Sequence, residues 1–424
     1  MEGTSQSSRK RQNVSPPIDR LSALPNGVIC RILSFLPTKL SASTSILAKR
    51  WRFLWAHVPS LYFSSSELRI IDIINRVMLL YKVESMNSLR LFYHGGAADD
   101  RSKFQLETCM IAAISRNIKK LEIFFHDPAI LPRCIFTCKT LVDLTLRFCG
   151  YIPTTGTVCL PALKRLNLSL VSYESDKSLV NLLFGCPVLE ELTISNKSSS
   201  DCFDISSLTI KRLTVGFTFD WDNIYWKVKI NAPALRYLKV NNCLRKRISV
   251  SPMNSLTEAD IRLKIYSLDS GDNMPSQVKF LDCLRNVKCL RLAGYIDKAV
   301  TESIVKFDNL TKLELDLVVD WRLLLKLLES ADNLEALVVS DVDISLTFWE
   351  EPERVPTCLL LHLRIIRTGP ICGKHEFNML RYLARNAKVL KAIDLRSTHC
   401  SKAQLDVIKR ILLFKRGYEA CMLV

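Results

Sequence analysis

Residues 182–192 read Leu-Leu-Phe-Gly-Cys-Pro-Val-Leu-Glu-Glu-Leu. The run holds one ending and one beginning. Leu182 and Leu183 close a helix, Gly185 terminates it, Pro187 bars its continuation, and Leu189 with Leu192 opens a strand. Looser versions stand at Leu160-Pro161-Ala162-Leu163-Lys164-Arg165-Leu166 and at Asn231-Ala232-Pro233-Ala234-Leu235-Arg236-Tyr237-Leu238. One stop-and-start is a turn, whereas several on a common period are an architecture.

The strand half of this phrase, Leu-x-x-Leu-x-Leu with Ile or Val substituting, recurs along the middle of the chain. Copies occur at Ile118-Leu121-Ile123, Leu141-Leu144-Leu146, Leu163-Leu166-Leu168, Leu189-Leu192-Ile194, Ile210-Leu213-Val215 and Leu235-Leu238-Val240. They continue at Val287-Leu290-Leu292, Leu310-Leu313-Leu315 and Leu334-Leu337-Val339, with a weaker copy at Leu256-Ala259-Ile261 and a first one at Met86-Leu89-Leu91. Successive starts from Ile118 to Leu256 lie 21 to 26 residues apart, the leucine-rich-repeat range. The step of 31 residues to Val287 marks an insertion around Ser267 to Ser276. A single hexad cannot bury its apolar face, so the copies must stack into a parallel sheet lining a curved array.

Strand alternation then names an exposed face. The third and fifth hexad positions point away from the core: Lys120 and Glu122, Asp143 and Thr145, Arg165 and Asn167, Glu191 and Thr193, Arg212 and Thr214, Tyr237 and Lys239, Glu258 and Asp260. Arg165, Arg212, Tyr237 and Lys239 form a basic, aromatic-bearing centre and are the expected substrate-binding residues, suited to an acidic peptide or a phosphate-bearing ligand.

The two ends of the chain are of other designs. In residues 19–55, Leu24-Pro25 and Leu36-Pro37 bracket a helical stripe of Val28, Ile29, Ile32, Leu33 and Leu36, Thr38 stands ready to cap a second helix, and Lys49-Arg50-Trp51-Arg52-Phe53-Leu54-Trp55 runs into a third. Forty such residues bury too little surface to be comfortable alone and read as half of an interface. Beyond Val355 a helix carrying Phe377, Leu380, Leu383 and Ala384 precedes a strand at Leu390, Ile393 and Leu395, then a last helix from Leu405 to Phe414 and a terminal strand. This region must cover the final apolar face of the array.

Composition bounds the function. The 424 residues carry a formal charge of +17, and the first 63 hold nine Lys and Arg against two acidic residues. Such a balance favours acidic partners, but no RNA-binding signature, zinc-finger spacing or aromatic ladder among basic residues accompanies it, so nucleic acid is not expected as a partner. The fifteen cysteines are scattered with no C-x-x-C pair, the amino-terminal stretch is polar, and charges interrupt every long apolar run. Free thiols in a reducing compartment, no secretory leader and no membrane span follow. Arg9-Lys10-Arg11 is either a nuclear address or part of a solvated tail. None of the six histidines sits in a metal-ligand spacing, and nucleophile-elbow, P-loop and dinucleotide motifs are absent. Gly95-Gly96 with Asp99-Asp100 reads as a turn, and Cys138 and Cys149 as repeat-core cysteines. No catalytic site, metal or cofactor is expected.

Residues 19–55 resemble an F-box of the type abundant in plants. Asp19, Arg20, Leu24, Pro25, the run from Ile32 to Lys39 and the run from Leu47 to Trp55 match its signature in order. The Gly185-Cys186-Pro187 phrase is similar to one in plant F-box leucine-rich proteins. Val355-Pro356-Thr357-Cys358-Leu359, Asn386-Ala387-Lys388-Val389-Leu390-Lys391 and Cys421 resemble the FBD domain that closes many of them. The likeness departs at Asn26-Gly27 and Leu40, where acidic residues are usual, and at Arg364-Ile365-Ile366-Arg367, where an aromatic is usual.

The resemblance implies an α/β chain: a disordered basic tail over 1–17, a three-helix F-box over 18–63, a leucine-rich-repeat solenoid over 64–350 and an α+β FBD cap over 351–424. It also implies a non-catalytic substrate receptor of a Skp–cullin–F-box ubiquitin ligase in the nucleus or cytoplasm. The F-box would bind a Skp-type adaptor, and through it the cullin and RING subunits, by Leu24, Pro25, Ile29, Ile32, Leu36, Pro37, Leu47 and Trp51, with Trp55 supporting the third helix. The array would hold the protein to be ubiquitinated. Two alternatives use the same scaffold: a co-receptor that needs a small molecule or inositol phosphate, and a ligase-free interaction module.

Overall fold

The computed structural model describes residues 20–21, 23–67, 69–95, 99–125, 131–197, 202–218, 227–241, 248–263, 280–294, 304–317, 321–341, 350–369, 374–395 and 422–423. The basic amino-terminal run, the expected insertion at Ser267 to Ser276, the helix at Leu405 to Phe414, Gly96 and Cys421 lie outside them.

Every apolar hexad of the sequence is a strand in one fifteen-stranded sheet whose strand order follows the chain. Neighbours are parallel and in register: Leu192 faces Leu166 and Leu213, and Ile194 faces Leu168 and Val215. The inward leucines are essentially fully buried, including Leu166, Leu192, Leu213, Leu238, Leu290, Leu313 and Leu337. A fully buried leucine contributes about 1.5–3 kcal/mol by leaving water, and here each does so only because the next rung covers it.

A repeated hydrogen-bond pattern sets the register. Glu190 and Glu191 both donate their backbone N–H to the Lys164 carbonyl, Lys211 and Arg212 to Glu190, and Arg236 and Tyr237 to Lys211, at 2.8 to 3.0 Å. The same fork recurs as far as Lys391 and Ala392 on Arg364. Threonine hydroxyls reinforce it, Thr140 donating to Ile118 at 3.0 Å and Thr209 to Leu189 at 2.7 Å.

The sheet extends beyond the aliphatic hexads. Ser60–Ser65 is its first strand, with Val58, Leu61 and Phe63 buried as a hexad in which phenylalanine takes the last place. Ile365–Thr368 and Ala392–Leu395 continue it on the other side, followed by Met422–Leu423. The Arg364-Ile365-Ile366-Arg367 stretch without an aromatic is therefore a rung, with Ile366 in the core.

The layer behind the sheet changes along the array. Helices Arg69–Leu80, Asp100–Ile114, Lys177–Phe184, Trp321–Glu329 and Lys374–Asn386 serve some rungs. Asp99 caps the second of these, its carboxylate accepting from the Ser102 N–H at 3.1 Å. In the middle, Cys202–Ser206, Lys227–Asn231 and Ile248–Val250 form a second parallel sheet instead, with Phe203, Val228 and Ile248 in one buried row.

Gly185 ends the helix Lys177–Phe184 as its sequence implies, but for another reason. Its φ is −74°, ordinary right-handed backbone. A Cβ there would lie 2.4 Å from Val158 Cγ1 and 2.6 Å from the Val158 carbonyl oxygen, so the position demands glycine for close approach.

Several cysteines sit in the core, Cys138 and Cys149 among them. Burial pushes the thiols of Cys109, Cys149, Cys186 and Cys358 up to about 12. Cys358 donates its thiol to the Leu328 carbonyl at 3.2 Å, and Lys388 N–H bonds the Leu359 carbonyl at 3.0 Å, so the Val355–Leu359 and Asn386–Lys391 phrases of the carboxy-terminal region meet.

Gly185→Ala should destabilise the chain by about 1–3 kcal/mol, the range for overpacking, measured as a lower urea midpoint. At pH 8 a thiol titrating near 12 is ionised to about one part in ten thousand. Iodoacetamide should therefore alkylate exposed Cys159 in the folded protein, and Cys109, Cys149, Cys186 and Cys358 only in urea, read by peptide mass mapping.

Candidate docking segment and recognition face

The amino-terminal segment folds as three helical pieces. Asn26–Leu33 is α-helical, Thr38–Ser43 is α-helical and tightens into one 3-10 turn at Thr44–Ile46, and Lys49–His57 is a 3-10 helix. Prolines precede the first two: Pro25 and Pro37 stand at their N-caps with extended backbone, which fixes where each helix begins. Ile29, Cys30, Leu33, Trp51, Leu54 and Val58 make a small closed core, with Leu24 and Ala48 packed on its edge. Arg50 ties the first helix to the third piece, its Nη2 donating to the Leu24 carbonyl and the Asn26 side-chain oxygen, both at 2.7 Å. Asn26 thus does through an amide what a carboxylate could do at that place.

The single apolar stripe read from the sequence divides in two. Ile29 and Leu33 turn inward, whereas Val28, Ile32 and Leu36, four residues apart, stay exposed. Of the expected adaptor residues, Ile29 and Trp51 are buried inside the segment's own core, Leu24 and Pro37 are half-buried, and Pro25, Ile32, Leu36 and Leu47 are exposed. Phe35, Leu40, Ile46 and Phe53, which the sequence reading left unassigned, are exposed as well, Ile46 at 87%. Apolarity alone could not separate the two sets, because both recur at helical spacing.

The segment is built onto the array. Thr38 is not a helix cap: its hydroxyl accepts the Tyr62 backbone N–H at 2.8 Å and so covers the open edge of the first strand. Lys82 N–H bonds the Ala56 carbonyl at 3.0 Å, Tyr81 donates its hydroxyl to the Val58 carbonyl at 2.6 Å, and the Lys82 ammonium lies 5.7 Å from the Phe53 ring centre.

On the outward face of the sheet, Arg165, Glu191, Arg212, Tyr237 and Glu258 stand side by side in one row. The Arg212 guanidinium stacks on the Tyr237 ring at 4.1 Å, and Lys239 lies two residues along the same strand. Arg165 is two strands from Arg212, about 10 Å away, with Glu191 between. These cations have intramolecular partners. Arg165 shares Asp143 with Lys120, both at 3.2 Å, and Lys239 bonds Asp260 at 2.8 Å. Arg90 with Glu122 and Arg291 with Asp316, each at 3.0 Å, follow the same rule. The face is thus a mesh of paired charges rather than a bare basic centre. The cations stay partly in water while Asp143 and Asp260 are buried beneath them, so the pairs set side-chain geometry on this face.

No helix among the described residues is long and apolar enough to cross a membrane.

Comparison with known proteins accounts for this arrangement. Residues 106–259 match the profile for the leucine-rich repeats of FBD-associated F-box protein At5g56370, and residues 350–395 match the FBD profile. Relatives in Arabidopsis thaliana align over nearly the full length. FBD-associated F-box protein At5g38590 is 31% identical, covering 93% of this chain and 98% of its own. F-box/FBD/LRR-repeat protein At4g00160 is 29% identical over 92% and 89% of the two chains, and F-box/FBD/LRR-repeat protein At3g26920 is 30% identical over 96% of each. A helical segment with an outward apolar stripe, a parallel repeat sheet and a carboxy-terminal region that prolongs that sheet are together the parts of an F-box/FBD/LRR-repeat protein, and the chain belongs to that family.

Proposed function

We propose that this chain is the substrate-recognition subunit of a Skp–cullin–F-box ubiquitin ligase. Its helical segment docks on a Skp-type adaptor, which brings the cullin and RING subunits, and its sheet face holds the protein to be ubiquitinated. The chain itself forms and breaks no bonds. Its contribution is proximity, which raises the effective concentration of target lysines at the activated ubiquitin. The work takes place in the nucleus or cytoplasm, in keeping with the free thiols of the eleven described cysteines.

One observation carries the reading. The amino-terminal segment completes its own core with Ile29, Leu33 and Trp51 and still leaves Val28, Ile32, Leu36 and Leu47 in water. A soluble segment of this size gains nothing from that exposure unless a partner covers it. Within this proposal the docking contacts fall to Pro25, Ile32, Leu36 and Leu47, with Pro37 at the turn. Ile29 and Trp51 support them from beneath, and Leu24 does some of each. Domain limits follow the same logic: the F-box ends where Ser60–Ser65 begins the sheet, and the FBD region is the array's last rungs with their helices.

Co-expression with a Skp-type adaptor and size-exclusion chromatography tests the proposal. The wild-type chain should co-elute at equal stoichiometry. The variant carrying Ile32→Asp and Leu36→Asp should lose about 2–4 kcal/mol of binding, a thirtyfold to thousandfold drop, with an unchanged melting temperature. Retained co-elution of that variant, or a wild-type chain that never co-elutes, would remove the ligase role.

A further inference from the structure

Three charges on the central row of the recognition face stand outside its mesh of pairs. Glu191, Arg212 and Glu258 are all exposed, and among the described residues none of them forms an ion pair. Glu191 stands in register between Arg165 and Arg212 and is bonded to neither. Arg165 turns to Asp143 at 3.2 Å, and Arg212 turns to the Tyr237 ring at 4.1 Å. Glu258 has Tyr237 and Cys289 as its neighbours in register, so no cation flanks it in the row. Lys239, on the adjacent strand, is bonded to Asp260 at 2.8 Å. The contact with Tyr237 restrains the Arg212 guanidinium and leaves its N–H donors free to meet a carboxylate.

The row therefore reads minus, plus, minus across four strands, with Tyr237 between the last two charges. One strand spacing, about 4.8 Å, separates Glu191 from Arg212, and three, about 14 Å, separate Glu191 from Glu258. In an extended peptide every second side chain points the same way, about 6.7 Å apart, so three such positions span about 13 Å. A dianionic phosphate on Arg212 would be repelled by the carboxylates on both sides. A single carboxylate flanked by two cations matches all three groups.

We propose that this row reads an unphosphorylated, extended segment of the substrate with the pattern basic-x-acidic-x-basic, lying across the strands. The central carboxylate of the segment pairs with Arg212, and its two outer cations pair with Glu191 and Glu258. The aliphatic stem of the second basic residue covers Tyr237. Within the receptor reading on which this rests, the ligand is mainly basic, not the acidic peptide or phosphate that the cations of the face suggest from sequence alone.

The test uses the full chain, with its adaptor where the two co-elute, and a displayed library of random peptides. Selected peptides should carry the basic-x-acidic-x-basic pattern. A fluorescently labelled winner should bind about tenfold more weakly to Glu191→Lys and to Arg212→Glu, read by anisotropy. Both positions are exposed, so the melting temperatures should match the wild type. Selection repeated against Glu191→Lys should turn the first basic position acidic, and selection against Arg212→Glu should turn the central position basic. Such reversals separate direct reading from a general loss of structure. Uniformly acidic winners, preferences unchanged in the variants, or no enrichment would overturn the proposal. So would a winner that binds more tightly once its acidic residue is replaced by phosphoserine, or self-association abolished by Arg212→Glu, which would mean that a second copy covers the row. Loss of adaptor co-elution with these preferences intact would instead sink the ligase role alone.

Discussion

The structure depends on the lateral stacking of apolar rungs. Each strand offers two or three inward side chains, too few to make a core, and gains stability only when the next strand lies against it in register. The forked backbone bonds from each rung to the carbonyl of the rung before make that register the same at every step. Both ends of such an array are open by construction. At the beginning the edge is met by Thr38 and by the helical segment's contacts with Tyr81 and Lys82. At the other end the FBD region adds further strands before the described residues stop. The docking segment and the recognition face are therefore parts of one body. The proximity mechanism proposed above depends on that, because a target held on a loose tether samples too many positions to be modified selectively.

Much of this was legible from the residues. The hexads between Ile118 and Val339 are the strands, and the proline after Gly185 marks a helix-to-strand switch in the structure. What escaped notice did so for physical reasons. Val58-Leu61-Phe63 and Leu363-Ile366-Thr368 depart from the aliphatic pattern at their last place, yet the site only requires a side chain that fills the row. The second sheet behind the array uses short alternating runs such as Lys227-Val228-Lys229-Ile230-Asn231, whose period-two signal was overshadowed by the stronger hexads around it.

The functional surfaces were legible to a smaller extent. Sequence spacing placed Arg165, Arg212, Tyr237 and Lys239 on one face, and the register brings Arg212 onto Tyr237. It could not tell that Asp143 and Asp260 would neutralise Arg165 and Lys239, because cross-strand pairing depends on which rung neighbours which. In the docking segment, periodicity gave the helix but not which side faces its own core, so Ile29 and Trp51 were grouped with residues that stay in water. A net charge of +17 likewise says little about recognition when so many cations on the face are already spoken for.

Hydrogen exchange of the chain with and without a Skp-type adaptor tests the central claim most directly. The account predicts new protection confined to the helical segment between Asn26 and Leu47, with the strands from Arg165 onward exchanging as before. Protection that appears on the sheet face, or none at all in the helical segment, would contradict it.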